Sequence, residues 1–228
     1  TVVDTTDPYF SYVPSDVTIE CDDDLPTDVP TAGDNCDNEV EITMSESETA
    51  GDCAHESTIT RVWTATDDCG NSTTASQTIT IEDSIAPVLS DVPADVSLEC
   101  DQPLPTDEPY VSDNCDNNVQ LSLNEVETPG ACPQDLYILR TWTATDACGN
   151  SSTASQTIVL QDTQAPVFIS VPADVTIQCD EDLPTDQATA SDNCDPNITI
   201  DVEDETTPGN CEDAYTVTRT WTAYDACG

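Results

Sequence analysis

The chain of 228 residues contains no lysine, and its three arginines face 47 aspartates and glutamates, for a formal net charge of −44. Nucleic acid and anionic lipid surfaces both require a cationic face, so neither is an ordinary partner. No stretch is apolar for long enough to cross a bilayer, and no basic segment with an apolar core opens the chain. Membrane insertion within this segment is therefore excluded, and a signal or anchor is expected to lie outside it. The only histidine is His55, and no Cys-x-x-Cys occurs, which argues against zinc. One histidine cannot act as base for a chain that repeats itself, and no nucleophile stands beside one, so no enzymatic activity is expected. Asp34 and Asp67 could imitate a hydrolase carboxylate pair, but metal ligation accounts for them equally well. Helical periodicity is missing as well. The three tryptophans all stand at a core-like phase, which leaves no exposed aromatic platform for sugars.

What is present is repetition. Cys21, Cys100 and Cys179 stand 79 residues apart (100 − 21 and 179 − 100), and the same interval separates Cys36, Cys115 and Cys194. Cys53, Cys132 and Cys211 keep it, as do Cys69, Cys148 and Cys227, and Trp63, Trp142 and Trp221. The chain is three tandem units, divided as residues 1–83, 84–162 and 163–228. Three full periods need 237 residues (3 × 79), so nine positions are missing, those filled in the first unit by "NSTTASQTI" at 71–79. The opening "TVVD" aligns with "TIED" at 80–83 and is a stub of the strand that the third unit lacks, too short to serve as its donor. The chain thus reads as a window on a longer array, with the last strand of the third unit outside it. Were the chain complete, a neighbour would have to supply that strand.

Alternation of period two marks the strands. Val17, Ile19 and Cys21 share a face, as do Val96, Leu98 and Cys100, and Val175, Ile177 and Cys179. Val40, Ile42 and Met44 form a second inward set, matched by Val119, Leu121 and Leu123. Ile59, Arg61, Trp63 and Ala65 form a third, and Ala75, Gln77, Ile79 and Ile81 a fourth. With 16 prolines and many Asp-Asn and Gly-Asn turns, this pattern predicts an all-β chain of immunoglobulin-like antiparallel β-sandwiches. Arg61, Arg140 and Arg219 lie two residues before each tryptophan, on its face of the strand. Each is expected to pair with a carboxylate of its own unit. His55 has no counterpart and reads as a loop residue.

Twelve cysteines, four per unit and in phase, imply a disulfide framework and an oxidising, extracellular compartment. Following the strands up and down places Cys21 and Cys53 at one end of a sandwich and Cys36 and Cys69 at the other. Of the three connectivities within a unit, this topology favours Cys21–Cys53 with Cys36–Cys69. The repeats then give Cys100–Cys132 with Cys115–Cys148, and Cys179–Cys211 with Cys194–Cys227.

"PADVTIQC", "SDNC" and "RTWTATDACGN" resemble the hyalin-repeat-like (HYR-like) immunoglobulin-type domains found in tandem in large bacterial surface and gliding adhesins. The resemblance extends three times over the chain. It implies extracellular repeat modules that serve in adhesion or as stalks, with no catalytic residues to carry over. The cysteines in "DNC" and "DxCGN", where small residues are usual, imply extra stapling.

Certain acids keep their phase while 45–57 varies between copies. Asp4, Asp83 and Asp162 open the linker motif "D-x-x-x-P"; Asp34, Asp113 and Asp192 begin "DNC"; Asp37, Asp116 and Asp195 follow it; Asp67, Asp146 and Asp225 end the tryptophan strand. On the predicted topology Asp83 approaches Asp113, Asp116 and Asp146, and Asp162 approaches Asp192, Asp195 and Asp225. Clustered carboxylates with nearby amide and backbone oxygens suit Ca²⁺, although the spacing matches no EF-hand loop. The loop "CDDDLPTD" at 21–28, with Asp22 and Asp28, is an alternative site. A chain this acidic needs bound cations or high salt to offset its self-repulsion. Asn71, Asn150 and Asn197 head Asn-x-Ser/Thr triplets, candidate glycosylation sites.

The reading with most support is an extracellular structural or adhesive region of a long surface fibre, stiffened by disulfides and by calcium at domain junctions. Each unit would add on the order of 35 Å. Its partners are neighbouring repeats, laterally packed copies and a surface or glycan ligand. The alternative is a soluble calcium- or carbohydrate-binding repeat protein that gains avidity from its copies.

Overall fold

A computed structural model describes residues 2–227 and contains sixteen strands and, among the described residues, no helix. In the first repeat β1 (Tyr9–Tyr12) pairs with β3 (Thr31–Gly33) as a small two-stranded layer. The larger sheet has the order β2 (Val17–Glu20), β6 (Ser72–Glu82), β5 (Ser57–Thr66), β4 (Glu41–Ala50). The second repeat copies this plan. Its β7 (Val88–Ser90) pairs with β9 (Tyr110–Ser112), and its larger sheet runs β10 (Gln120–Pro129), β11 (Leu136–Thr145), β12 (Ser151–Gln161), β8 (Val96–Glu99). The third repeat has β13 (Val167–Ser170) on β14 (Thr189–Ser191) and β15 (Thr199–Pro208) on β16 (Tyr215–Tyr224). Packing groups the residues into two compact bodies. One holds the residues up to Asp91 with Pro109–Ser122 and Trp142–Ala154; the other holds Val92–Glu108, Leu123–Thr141 and the residues from Ser155 on.

The all-β expectation holds, with one addition: β2 runs parallel to β6, and β8 parallel to β12. First and last strands of a repeat descend in the same direction, so their adjacency is necessarily parallel. Side chains of the last strand hold the first in place. The Gln77 amide donates to Ser15 O at 2.7 Å and Thr78 N donates to Asp16 Oδ1 at 2.7 Å. Gln156 and Thr157 do the same to Ala94 O and Asp95 Oδ1. No strand follows β16 among the described residues, and Val175–Gln178, the counterpart of β2 and β8, is not a strand.

The core follows the alternation. Ile59, Trp63 and Ala65 on β5 and Ile79 on β6 are buried, and so are Ile138, Trp142, Ala144 and Ile158 in the second repeat. The predicted inward set on β4 and β10 is only half correct: Ile42 and Leu121 are partly covered, but Met44 is 56% exposed and Leu123 44%. The opposite layer has strands of 4 and 3 residues, too small to cover a 10-residue edge strand. Glu41, Glu46 and Glu48 along that edge discourage pairing with another chain.

The arginines pair as expected. Arg140 donates through Nε to Glu125 Oε1 at 2.7 Å and through Nη1 to Pro105 O at 2.6 Å. Arg61 makes the same two bonds to Glu46 and Pro26 O, and Arg219 to Asp204 and Pro184 O. The guanidinium ties the long connection before the small layer's second strand to the tryptophan strand. Arg140→Ala leaves a carbonyl and a carboxylate without their donor, and urea melts should show a loss of about 2 kcal/mol. Arg140→Lys should recover only a minor part, because one ammonium cannot reproduce the planar fork.

Candidate functional site

The loops at the ends of the sandwiches are shaped by aspartates. In "DDCGN", Asp67 Oδ1 accepts from Cys69 N at 2.9 Å and Asn71 N at 2.8 Å, and its Oδ2 accepts from the Asn71 amide at 2.7 Å. Gly70 sits at φ 88° within that turn and Gly149 at φ 95° in the next copy, a conformation that favours glycine. In "DNC", Asp34 Oδ1 accepts from Cys36 N and Asp37 N, as Asp113 does from Cys115 N and Asp116 N. Asp37, Asp116 and Asp195 each receive a main-chain N–H on both oxygens, from Glu39 and Asp68, Asn118 and Ala147, and Asn197 and Ala226. Of the four phases of recurring acids, each present three times, three therefore serve as loop clamps.

The disulfides correct the expected connectivity. None of Cys21–Cys53, Cys36–Cys69, Cys100–Cys132, Cys115–Cys148, Cys179–Cys211 and Cys194–Cys227 is formed. Instead Cys21 bonds Cys115 and Cys53 bonds Cys148; Cys100 bonds Cys194 and Cys132 bonds Cys227. Every bond joins one repeat to the next, at sequence separations of 94 or 95 and Cα separations of 5.1 to 5.9 Å. The assignment of cysteines to ends was sound. The enumeration within a single unit was not, because the sulfurs at the end of one sandwich meet those at the start of the following one. Cys36, Cys69, Cys179 and Cys211 are free and exposed.

Further bonds close the first seam. The Asn150 amide donates to Asp83 O at 2.8 Å and to Asp146 Oδ2 at 2.9 Å. The Asn114 amide donates to Asp22 Oδ1 at 2.9 Å, which gives one acid of the "CDDDLPTD" loop a structural role. The Glu20 carboxylate accepts from the backbone and hydroxyl of Ser84, and Glu99 does so from Thr163. His55 approaches Asp116 Oδ1 at 3.9 Å, so the residue read as an idle loop position faces the neighbouring repeat. Asn71 uses its amide in the same way as Asn150, toward Asp67 and Asp4 O. A glycan on Asn71 or Asn150 would have to break those bonds, whereas Asn197 is exposed. The bridging asparagines were legible only as glycosylation triplets.

Asp83 is the centre of this seam. It is 4% exposed, yet neither carboxylate oxygen has a hydrogen-bond partner, and Oδ2 of Asp113 is likewise enclosed and unpartnered. Burial, then the charges of Asp146 and Asp113, push the Asp83 carboxyl above its ordinary value; Glu20 adds to this and His55 opposes it. Asp146 goes the other way: burial opposes its charge, but donors from Asn150, Gly149 and Cys148 hold it below the ordinary range. The second seam repeats the pattern. Asp162 is raised by burial and by Asp192, Asp225 and Glu99, against a donor from Gln164, and its Oδ2 has no partner. Asp4 lies with Asp34 and Cys36 on the corresponding face of the first repeat.

Together these observations define a tandem array of all-β modules whose small sandwiches are joined covalently end to start. The sequence profile of the HYR-like domain with 4 cysteines matches residues 11–81 and 88–160, and the chain belongs to that family. No curated protein matches it. Solved structures with some likeness include protocadherin gamma B7 extracellular cadherin domains 1–4, at 14% identity, 96% of this chain, 76% of that chain and a TM-score of 0.35. Drosophila N-cadherin EC1-4 follows at 16% identity, 69% and 50% coverage and a TM-score of 0.31, and human mucin-like protocadherin EC1-2 at 12% identity, 68% and 98% coverage and a TM-score of 0.29. At such TM-scores these likenesses bear no further weight.

Peptide mapping without reductant should recover the four inter-repeat links, and a Cys21–Cys53 or Cys100–Cys132 peptide would contradict the structure. Each bond closes a loop of about 95 residues, so Cys100→Ser with Cys194→Ser should cost about 4 kcal/mol in reversible denaturation.

Proposed function

We propose that the chain is an extracellular, non-catalytic repeat region of a long surface fibre or stalk, serving structure and adhesion, whose seams hold calcium. Four disulfides support an oxidising, extracellular compartment. The single observation that carries the calcium reading is the trio of buried oxygens without donors, both of Asp83 and Oδ2 of Asp113, beside Asp146 and Glu20. Buried polar atoms are almost always satisfied, and a buried carboxylate without a donor is relieved by taking up a proton or a cation. Asp83, Asp113 and Glu20 would hold the ion, with hard oxygen donors of the kind Ca²⁺ takes. Asp162, Asp192 and Glu99 would do so at the second seam. Asp4 with Asp34 would receive an ion where a repeat precedes.

The electrostatics give a sign. Asp83 and Asp162 have raised values in the fold, so the stability they contribute is present at acid pH and is lost as pH rises through those values. In chelator the chain should therefore be most stable at mildly acidic pH and weaker near neutrality, in so far as these two groups govern it. Ca²⁺ at neutral pH should remove the penalty and raise the melting temperature by several degrees, while Na⁺ at equal ionic strength should not. Asp83→Asn should be tolerated in chelator and should lose roughly half of the calcium increment. Equal responses to both salts would leave general screening as the explanation.

A further inference from the structure

The larger sheet of the second repeat turns one face to the core and the other to solvent. Side chains alternate along β11, so Ile138, Arg140 and Trp142 are buried while Tyr137 and Leu139 point outward. On β10, Glu125 faces inward to bond Arg140, which turns the next residue, Val126, outward. Tyr137, Leu139 and Val126 are 45%, 44% and 49% exposed.

These residues form one patch. In the first repeat Ser47 stands opposite Thr60, and Thr58 opposite Thr80. One period of 79 later the pairs are Val126 with Leu139 and Tyr137 with Val159. The bonds from Thr43 to Thr64 O and from Ser122 to Thr143 O show that the register is kept. Tyr137 and Leu139 are two residues apart on one strand, so the four are neighbours on one face. Four positions on three strands have thus changed from hydroxyl to apolar at a single spot. The third repeat has Glu205, Thr218 and Thr216 at three of them. The fold does not require the change, because the first repeat builds the same sheet order with Ser47, Thr58, Thr60 and Thr80 there. A cluster of exposed apolar side chains on an otherwise polar surface marks a contact.

Charge indicates what meets it. The outward positions of β10, β11 and β12 number five, five and six, and none of these sixteen is acidic. The two glutamates of β10, Glu125 and Glu127, both take the inward side. The corresponding face keeps Glu41 and Glu82 in the first repeat, and Asp201, Glu203 and Glu205 in the third. A basic partner would be held by carboxylates, and this is the face that lacks them. In a chain of net charge −44, what the missing acids permit is the approach of another strongly acidic surface. A second copy of this chain, acidic elsewhere and neutral here, fits that requirement. Three strands of ten residues present roughly 500 Å² per copy. Packed face to face, two copies bury about 1,000 Å² in all, the lower limit for a specific interface. The contact is therefore weak and reversible, and it multiplies where chains lie side by side.

We propose that the outward face of the β10–β11–β12 sheet is a self-association surface, on which a second copy packs the same face with Tyr137, Leu139 and Val126 at the centre. The inference rests on the adhesive part of the function above, for which it names a partner, and it needs no calcium. Because the rest of the two chains repel, salt strengthens this contact by screening, the reverse of its effect on a contact held by opposite charges.

Sedimentation equilibrium of the whole chain, in chelator and with the free thiols alkylated, tests this. Sodium chloride is varied from about 0.01 M to about 1 M, over which the screening length falls from about 30 Å to about 3 Å. The expected result is a monomer–dimer equilibrium whose association constant rises on the order of tenfold or more with salt. Two variants use residues that sibling repeats already carry. Val126→Ser with Tyr137→Thr and Leu139→Thr takes the first repeat's residues, and should lower association by on the order of tenfold with the melting temperature little changed. Asn124→Glu with Val126→Glu takes those of the third repeat, on the exposed edge strand, and should abolish the dimer by repulsion. A chain that is monomeric at every salt, a dimer that both variants form equally well, or an association that salt weakens would each overturn the proposal. Wild-type monomer retained on insoluble neutral polysaccharide, with neither variant retained, would assign the face to a glycan and overturn it too. Failure to dimerise with the calcium increment intact removes this inference alone, whereas dimers in chelator with equal responses to Na⁺ and Ca²⁺ remove only the calcium reading.

Discussion

The bond between the end of one sandwich and the start of the next is the constraint on which the rest depends. A repeat of this size has a small core, and its second layer covers only part of the larger sheet, so its ends need outside support. The inter-repeat disulfides supply it, at a seam where Asp83 lies within reach of the charges of Asp146 and Asp113. Two like charges about 4 Å apart repel by about 4 kcal/mol at the effective dielectric of a protein surface. Closing a loop of this length with a disulfide contributes about the same. Asp83 thus carries an electrostatic cost at the place where two disulfides staple the chain.

Much of this was legible from residues. The phase of Trp63, Trp142 and Trp221 gave the period, Trp63 and Trp142 lie in the buried core, and the arginine two places earlier found its carboxylate each time. The disulfide pairing was not legible, for a reason intrinsic to repeats. Cys36 and Cys115 have the same phase, so spacing alone cannot tell a bond within a unit from one to the next. Asp37, Asp116 and Asp195 clamp loops by accepting main-chain N–H groups, a role that in sequence looks the same as awaiting a metal. Met44 and Leu123 alternate correctly, but period two reports which face a side chain takes and says nothing of whether the opposite layer reaches it. The seam roles of Asn150 and His55 depend on a neighbour that the local pattern does not reveal.

The disulfide network also sets how far a repeat can be drawn out under load. In the second repeat, tension arriving at Cys115 leaves at Cys100, only 15 residues away (115 − 100), and tension at Cys148 leaves at Cys132, 16 residues away. Even with every strand melted, that stretch of backbone cannot exceed about 50 Å, where a free segment of one full period would pay out about 270 Å. Stretching such a repeat would therefore tauten a short covalent tether almost at once, and the sandwich around it would be spared from carrying the pull.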